Sequence, residues 1–144
     1  WRHYSAPLMY TTIIGQVDDE REEFLAVAHR VADAILAHAR PGTRACDVAS
    51  QALAAMRSIE DRIQFHYIFG YSVGISFPPH WLEGSNFHIR ATNSEPLQEG
   101  MVFHLPLTMR VLGQYGAGTS RTIEITAQGA RVLTGDLSKV DPHH

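Results

Sequence analysis

The chain has 144 residues, a length typical of one domain, and we expect residues 1–144 to form a single domain. Hydrophobic residues make up 44% and charged residues 19%, as in an ordinary water-soluble protein, and no stretch reaches membrane-spanning length. A net charge of −3 without a Lys/Arg-rich run argues against nucleic-acid binding, and the single cysteine excludes an intrachain disulfide. We therefore expect a cytoplasmic protein that binds neither nucleic acid nor membranes.

The first predicted elements in chain order are a strand and two helices. Residues 7–15, PLMYTTIIG, are rich in β-branched side chains and end at a glycine, which predicts a strand. A helix follows, capped by Asp18 or Asp19, with glutamates in its first turn and Pro41-Gly42 beyond its end. Thr43 is predicted to cap a second helix over residues 46–56. Apolar residues at helical spacing predict one buried face for each helix.

The second half of the chain is predicted to be mainly strands. Residues 100–113 form one candidate strand, and residues 122–134 form a hairpin that turns at Gln128-Gly129. Alternation along the hairpin places Ile123 and Ile125 on one face and Glu124 on the other. This order of elements predicts an α+β fold with helices on one face of a curved, mostly antiparallel sheet.

Five segments, in the correct order, resemble the motifs of the pita-bread fold family, which includes creatinase, aminopeptidase P and methionine aminopeptidase. In chain order they read YSAPLMYTTIIG, ARPGTRACDVASQAL, GYSVGISFPP, LQEGMVFHLPL and TSRTIEITAQGARVLT. The pattern GYS-x-G-x-x-FPP-x-W-x-E, together with G-M-x-F-H-L, is most similar to the ectoine-hydrolase-like branch. The resemblance covers only the carboxy-terminal part of that fold.

Metal-dependent members of the family hold two metal ions with two Asp, one His and two Glu. The resemblance places the second Asp at Pro7, the His at Tyr71, and the two Glu at Pro106 and Ser120. Proline offers no side-chain ligand, and a neutral tyrosine or serine is a poor one. We therefore expect neither a metal ion nor another cofactor.

The resemblance to creatinase implies that this fold can cleave a C–N bond without a metal, with histidine and glutamate transferring protons. The resemblance therefore indicates a metal-independent hydrolase or lyase that acts on a small nitrogen-containing molecule. The candidate catalytic residues are His104, Glu83 and His80; the candidate substrate-binding residues are Tyr71, Ser72 and Trp81.

Each of these residues also has a structural interpretation. His104 lies within a strand and could be a hydrogen-bonded structural residue, while His80 and Glu83 could belong to a solvated loop. Tyr71 could donate a hydrogen bond to a developing oxyanion or fill the space that the metals vacate. The other histidines with no motif context, His29, His66 and His88, are expected at the surface or in structural roles.

The alternative function is a non-catalytic binding or scaffolding module that kept the fold and lost the metal site. Fold-level similarity cannot separate the two. In either case we expect association, because a sheet that begins at the predicted first strand would leave a bare edge. The partner would be a second copy, giving a homodimer, or a separate chain that carries the first half of the fold.

Overall fold

The computed structural model describes residues 2–82 and 87–134. Helix α1 spans Asp19–His38 and helix α2 spans Ala45–Met56, followed by a short 3-10 helix at Glu60–Arg62. The strands are β1 Gly70–Ser72, β2 His88–Ile89, β3 Val102–Val111, β4 Tyr115–Thr126 and β5 Gly129–Thr134. They form one antiparallel sheet in the order β2-β1-β3-β4-β5. Neither α-helix of this described part has the length and apolar character needed to cross a membrane.

Helix α1 begins as its sequence predicts. The Asp18 side chain accepts a hydrogen bond of 2.9 Å from the backbone N–H of Arg21, and acidic residues occupy the first turn. The predicted cap of α2 is wrong, because Arg44 rather than Thr43 occupies the N-cap position and makes no side-chain capping bond. The N–H groups of Ala45 and Cys46 donate instead to the carbonyls of Glu95 and Asn93, so the loop between β2 and β3 satisfies them.

The core lies between the two helices and one face of the sheet. Phe24, Val27, Val31 and Ile35 of α1 are fully buried, as are alternate residues of β3: Phe103, Leu105, Leu107 and Met109. Fully burying one such side chain contributes about 1.5–3 kcal/mol. The hairpin prediction is confirmed: Ile123 and Ile125 are buried, and Thr126 pairs with Gly129 across the turn. The helix-facing side of the sheet is therefore fixed by apolar packing.

The predicted strand over residues 7–15 is only partly correct. This segment lies beside the first half of β4, where Ser120 N–H donates to the Met9 carbonyl at 2.7 Å. Tyr10 and Thr119 form an isolated bridge there, but no continuous ladder develops within residues 7–15. One reason is that the next β4 donor, Gly118 N–H, bonds to the Thr11 side chain instead of to a backbone carbonyl.

The outer side of this segment exposes large apolar side chains. Ile14 is 93% exposed, and Leu8 and Tyr10 are more than half exposed. An exposed, apolar sheet edge is a site at which protein chains associate.

We propose that this edge is covered in solution by a second copy of the chain. Native mass spectrometry at micromolar protein should therefore detect a species of twice the 16.0 kDa chain mass. Ile14→Lys should shift the population towards monomer, because a buried lysine would lose its hydration, whereas Leu112→Lys, at the exposed β3–β4 turn, serves as the matched control. A strictly monomeric protein with a cooperative unfolding transition would contradict association.

Candidate functional site

A row of polar side chains crosses the face of the sheet that is turned away from the helices. His88 of β2 pairs with Tyr71 of β1, Tyr71 pairs with His104 of β3, and His104 pairs with Thr122 of β4. Directly paired residues of antiparallel strands project to the same face. Since Phe103 and Leu105 face the helices, alternation places His104 and its row on the opposite side.

Tyr71 is the centre of this row. Its hydroxyl oxygen accepts a hydrogen bond of 3.0 Å from the indole Nε1–H of Trp81. Its ring contacts the His104 imidazole, with 5.3 Å between the ring centroids and an angle of 48° between the planes. The tyrosine therefore connects the loop that carries Trp81 to the central strand of the sheet.

A cavity of about 330 Å³ opens beside Tyr71. Its wall is mainly aromatic and aliphatic, and consists of His66, Ile68, Tyr71, Trp81, Leu82, His88 and Pro106. The volume is at the lower end of the range of about 300–1,000 Å³ that ligand pockets occupy. The cavity is therefore large enough for a small organic molecule.

His104 is buried beneath the cavity and is absent from its wall. The residue is only 3% exposed, and its Nδ1 lies 3.2 Å from the Thr122 hydroxyl. Burial lowers the pKa of His104 from 6.5 to about 4, because the charged imidazolium would lose its hydration. His104 is therefore neutral at physiological pH and supports Tyr71 from below.

The two histidines in the cavity wall, His66 and His88, also have lowered pKa values, which favour their neutral forms. Burial, and then the positive charge of Arg110, lower the pKa of His66. Burial, and then the charge of Arg90, lower the pKa of His88. Burial raises the pKa of Tyr71 and keeps its phenol protonated. The cavity therefore presents uncharged imidazoles and a phenol.

The structure brings together only some of the residues that the sequence selected. Tyr71 and Trp81 line the same cavity, and His104 lies directly behind Tyr71. Ser72 follows Tyr71 along β1 and pairs with Phe103, so it projects to the other face of the sheet. His80 is exposed and is not part of the cavity wall. Glu83 lies outside the described residues, and its role remains a prediction.

His66 and His88 are the titratable wall residues that the sequence analysis did not select. Neither lies in a family motif, and the sequence predicted surface or structural roles for both. His88 joins the site through its cross-strand pairing with Tyr71. His66 joins because the segment before β1 runs beside β3, where Gln64 forms a bridge with Arg110. A prediction that β1 and β2 form a hairpin in this register would have identified His88.

The positions that correspond to the family's metal ligands do not fit a metal ion. Tyr71 and Pro106 contribute an aromatic ring and an aliphatic ring to the cavity wall. At Ser120, the Oγ accepts a hydrogen bond of 2.6 Å from Met9 N–H and serves the backbone. Within residues 2–82 and 87–134, no three His, Cys, Asp or Glu side chains cluster in a way that could hold a cation. Divalent cations prefer anionic oxygen and imidazole ligands, which these positions lack.

Purified protein should therefore contain no stoichiometric divalent metal. The physical reason is the donor set at Pro7, Tyr71, Pro106 and Ser120, which offers no carboxylate. Elemental analysis by mass spectrometry after dialysis measures this directly, with a buffer blank as its control. One or two Mn, Fe, Co or Zn ions per chain would contradict it.

Burial of neutral His104 also predicts a pH dependence of stability. Between pH 6.5 and about 4, the unfolded chain binds a proton at His104 that the folded chain does not bind. The free energy of unfolding therefore decreases as the pH is lowered through this interval. The full interval corresponds to about 3 kcal/mol. Urea denaturation of a His104→Gln variant should show a smaller loss over this interval, whereas His80→Gln, at an exposed position, should follow the parent protein. Parallel pH profiles for the parent and His104→Gln would disprove this assignment.

Comparisons with known proteins identify a family and a related protein. A family model described as metallopeptidase family M24 matches residues 1–127. Ectoine hydrolase from Halomonas elongata is 30% identical over 139 residues, which cover 92% of this chain and 33% of that protein.

Solved structures of two further proteins are similar in fold. Prolidase from Pyrococcus furiosus has a TM-score of 0.80 and 23% identity, over 93% of this chain and 38% of its own. X-Pro aminopeptidase from Thermotoga maritima has a TM-score of 0.78 and 22% identity, over 92% of this chain and 36% of its own. The chain therefore spans about a third of the length of these relatives.

The two helices and the five-stranded antiparallel sheet correspond to the pita-bread fold of these relatives, which confirms the predicted fold class. The family model covers most of the chain, and the matched region is the carboxy-terminal part of that fold. The chain belongs to metallopeptidase family M24.

Proposed function

We propose that this chain forms the substrate pocket of a hydrolase that cleaves a C–N bond of a small nitrogen-containing molecule without a bound metal ion. The similarity to ectoine hydrolase and to prolidase supports a hydrolase-like protein. The donor chemistry of the positions that replace the family's ligands supports metal independence.

One observation carries this proposal. Tyr71 and Pro106, at the positions of the family's His and first Glu ligands, line the same cavity as Trp81. In this proposal, an aromatic cavity with the Tyr71 hydroxyl donor and adjacent imidazoles replaces the metal site. Such a cavity can bind a small organic molecule, and it can supply hydrogen bonds and proton transfer to it.

Tyr71 and His88 are the residues best placed for hydrolysis. The Tyr71 phenol is kept protonated by burial, so it can donate to the oxygen that becomes negative when water adds to the scissile carbon. Neutral His88 can take the proton from the attacking water and return it to the leaving nitrogen as the C–N bond breaks. The net reaction adds one water across the C–N bond.

His66 is less suited to this proton transfer. Its Nδ1 accepts a hydrogen bond of 3.1 Å from Ile68 N–H, and its ring also interacts with the Pro106 carbonyl. Both interactions hold the ring as part of the cavity wall. His104 contacts the Tyr71 ring and is absent from the cavity wall, so it is proposed as a positioning residue that acts through Tyr71.

The alternative is a non-catalytic module that binds a small molecule in the same cavity. The specific observation in its favour is that the described wall of the cavity contains no carboxylate. A hydrolase of this type would then depend on an imidazole alone or on Glu83, which remains a prediction from the sequence.

Turnover experiments separate the two functions. We expect the purified chain to hydrolyse at least one member of a panel of small lactams, amides and amidines, followed by proton NMR, at a rate unchanged by EDTA. His88→Ala should lower this rate about a hundredfold, because a positioned general base contributes about 10²–10⁴. His80→Ala, at an exposed loop position outside the cavity wall, is the matched control.

The outcomes are distinct. Activity that EDTA abolishes and added metal restores would overturn metal independence. An unchanged rate in a folded His88→Ala variant would remove His88 from the mechanism. Binding of panel members without any turnover would favour the non-catalytic module.

A further inference from the structure

The hydrogen bond between Trp81 and Tyr71 determines what the cavity can recognise. An indole N–H can only donate, so the Tyr71 oxygen is the acceptor in this bond. The Tyr71 hydroxyl proton is then left to donate elsewhere. Because burial raises the pKa of Tyr71, the proton stays on the oxygen at neutral pH. The cavity therefore offers a donor to a ligand that carries an acceptor.

Among the other polar groups of the described wall, His88 is the one that is free to hydrogen-bond a ligand. The His66 ring is held by Ile68 N–H and the Pro106 carbonyl. The His88 Nδ1 is buried and has no hydrogen-bond partner among the described residues. When the buried Nδ1 carries the proton, Nε2 of the neutral imidazole is an acceptor, so His88 can serve an amide N–H beside the carbonyl.

The charges of the described residues around the cavity disfavour a cationic ligand. Aromatic rings such as those of Trp81 and Tyr71 attract cations through their π faces. Here, however, the wall has no carboxylate among the described residues, and the charges that act on His66 and His88 are those of Arg110 and Arg90. A cation entering the cavity would lose its hydration and meet this positive field, and the Trp81 N–H already occupies one lone pair of the Tyr71 oxygen.

The shape of the cavity sets the size of the ligand. Its volume of about 330 Å³ suits a molecule of one or two rings. Trp81, Tyr71, His66 and His88 each present a planar ring, and flat ligands stack well against such rings.

We propose that the cavity binds a planar, uncharged amide-type ligand whose carbonyl oxygen accepts the Tyr71 hydroxyl proton, and that it rejects the isosteric cation. Trp81 is the specificity-determining partner, since it occupies the Tyr71 oxygen and turns the hydroxyl proton to the ligand. The inference rests on the proposed function, because the same cavity is the proposed substrate pocket.

The matched ligand pair is benzamide and benzamidine. They have the same size and planar shape, but benzamide offers a carbonyl acceptor, whereas benzamidine at neutral pH is a cation with only N–H donors. Saturation-transfer NMR titration of the purified chain should give a dissociation constant for benzamide about tenfold lower than for benzamidine, the effect of one hydrogen bond of about 1.4 kcal/mol.

Three variants test the role of the hydroxyl. Tyr71→Phe keeps the ring and should weaken benzamide binding about tenfold, which removes most of the preference over benzamidine. Trp81→Phe keeps an aromatic wall but frees the Tyr71 oxygen, and should weaken benzamide binding several-fold. Tyr67→Phe is the control, because Tyr67 is half exposed and outside the cavity wall.

Three results would each overturn the inference. They are equal or tighter binding of benzamidine, no binding of either compound at millimolar concentration, and unchanged benzamide binding in both Tyr71→Phe and Trp81→Phe. These are equilibrium measurements, so benzamide binding that depends on Tyr71 would stand even if the chain hydrolyses nothing. Conversely, hydrolysis of cationic panel members without any amide preference would leave the proposed function intact and remove this inference.

Discussion

The packing of α1 against β3 and β4 is the constraint on which the candidate site depends. Because side chains alternate along a strand, burying Phe103, Leu105 and Leu107 under the helices turns His104 and Pro106 to the other face. A shift of one residue in register would exchange the two faces and bury charged or polar groups against the helices. The apolar core therefore also determines which residues form the polar face.

In the proposed function, uncharged side chains replace the family's metal ligands on the open face of the sheet. In a site built from carboxylates, the metal ions balance the negative charges, so loss of the ions requires loss of those charges. Tyr71, Pro106 and Ser120 meet this requirement with uncharged groups, two of which form part of the cavity wall. Among the described wall residues, the titratable groups are His66, His88 and Tyr71, which burial favours in their uncharged forms. Uncharged imidazoles and a phenol are suited to hydrogen bonding and proton transfer.

The polar row also explains why a buried histidine is tolerated beneath the cavity. His104 is neutral, its Nδ1 meets the Thr122 hydroxyl, and its ring is covered by Tyr71. A neutral, hydrogen-bonded imidazole avoids most of the cost of burying a polar group. In return, it gives Tyr71 a rigid support, and a rigid donor is more effective than one that must be ordered when the ligand binds.

The sequence by itself determined the features that depend on local pattern. The capping aspartate of α1, the apolar stripe of that helix and the hairpin around Gln128 were all predicted, because each depends on residues close together in the chain. Motif order also identified the family and the substituted ligand positions. Only the tertiary structure decided which side chains meet. It placed His88 beside Tyr71, turned Ser72 to the opposite face and gave the cap of α2 to backbone carbonyls instead of Thr43. These outcomes depend on strand register and on contacts between residues far apart in the chain, and no local pattern in the sequence encodes them.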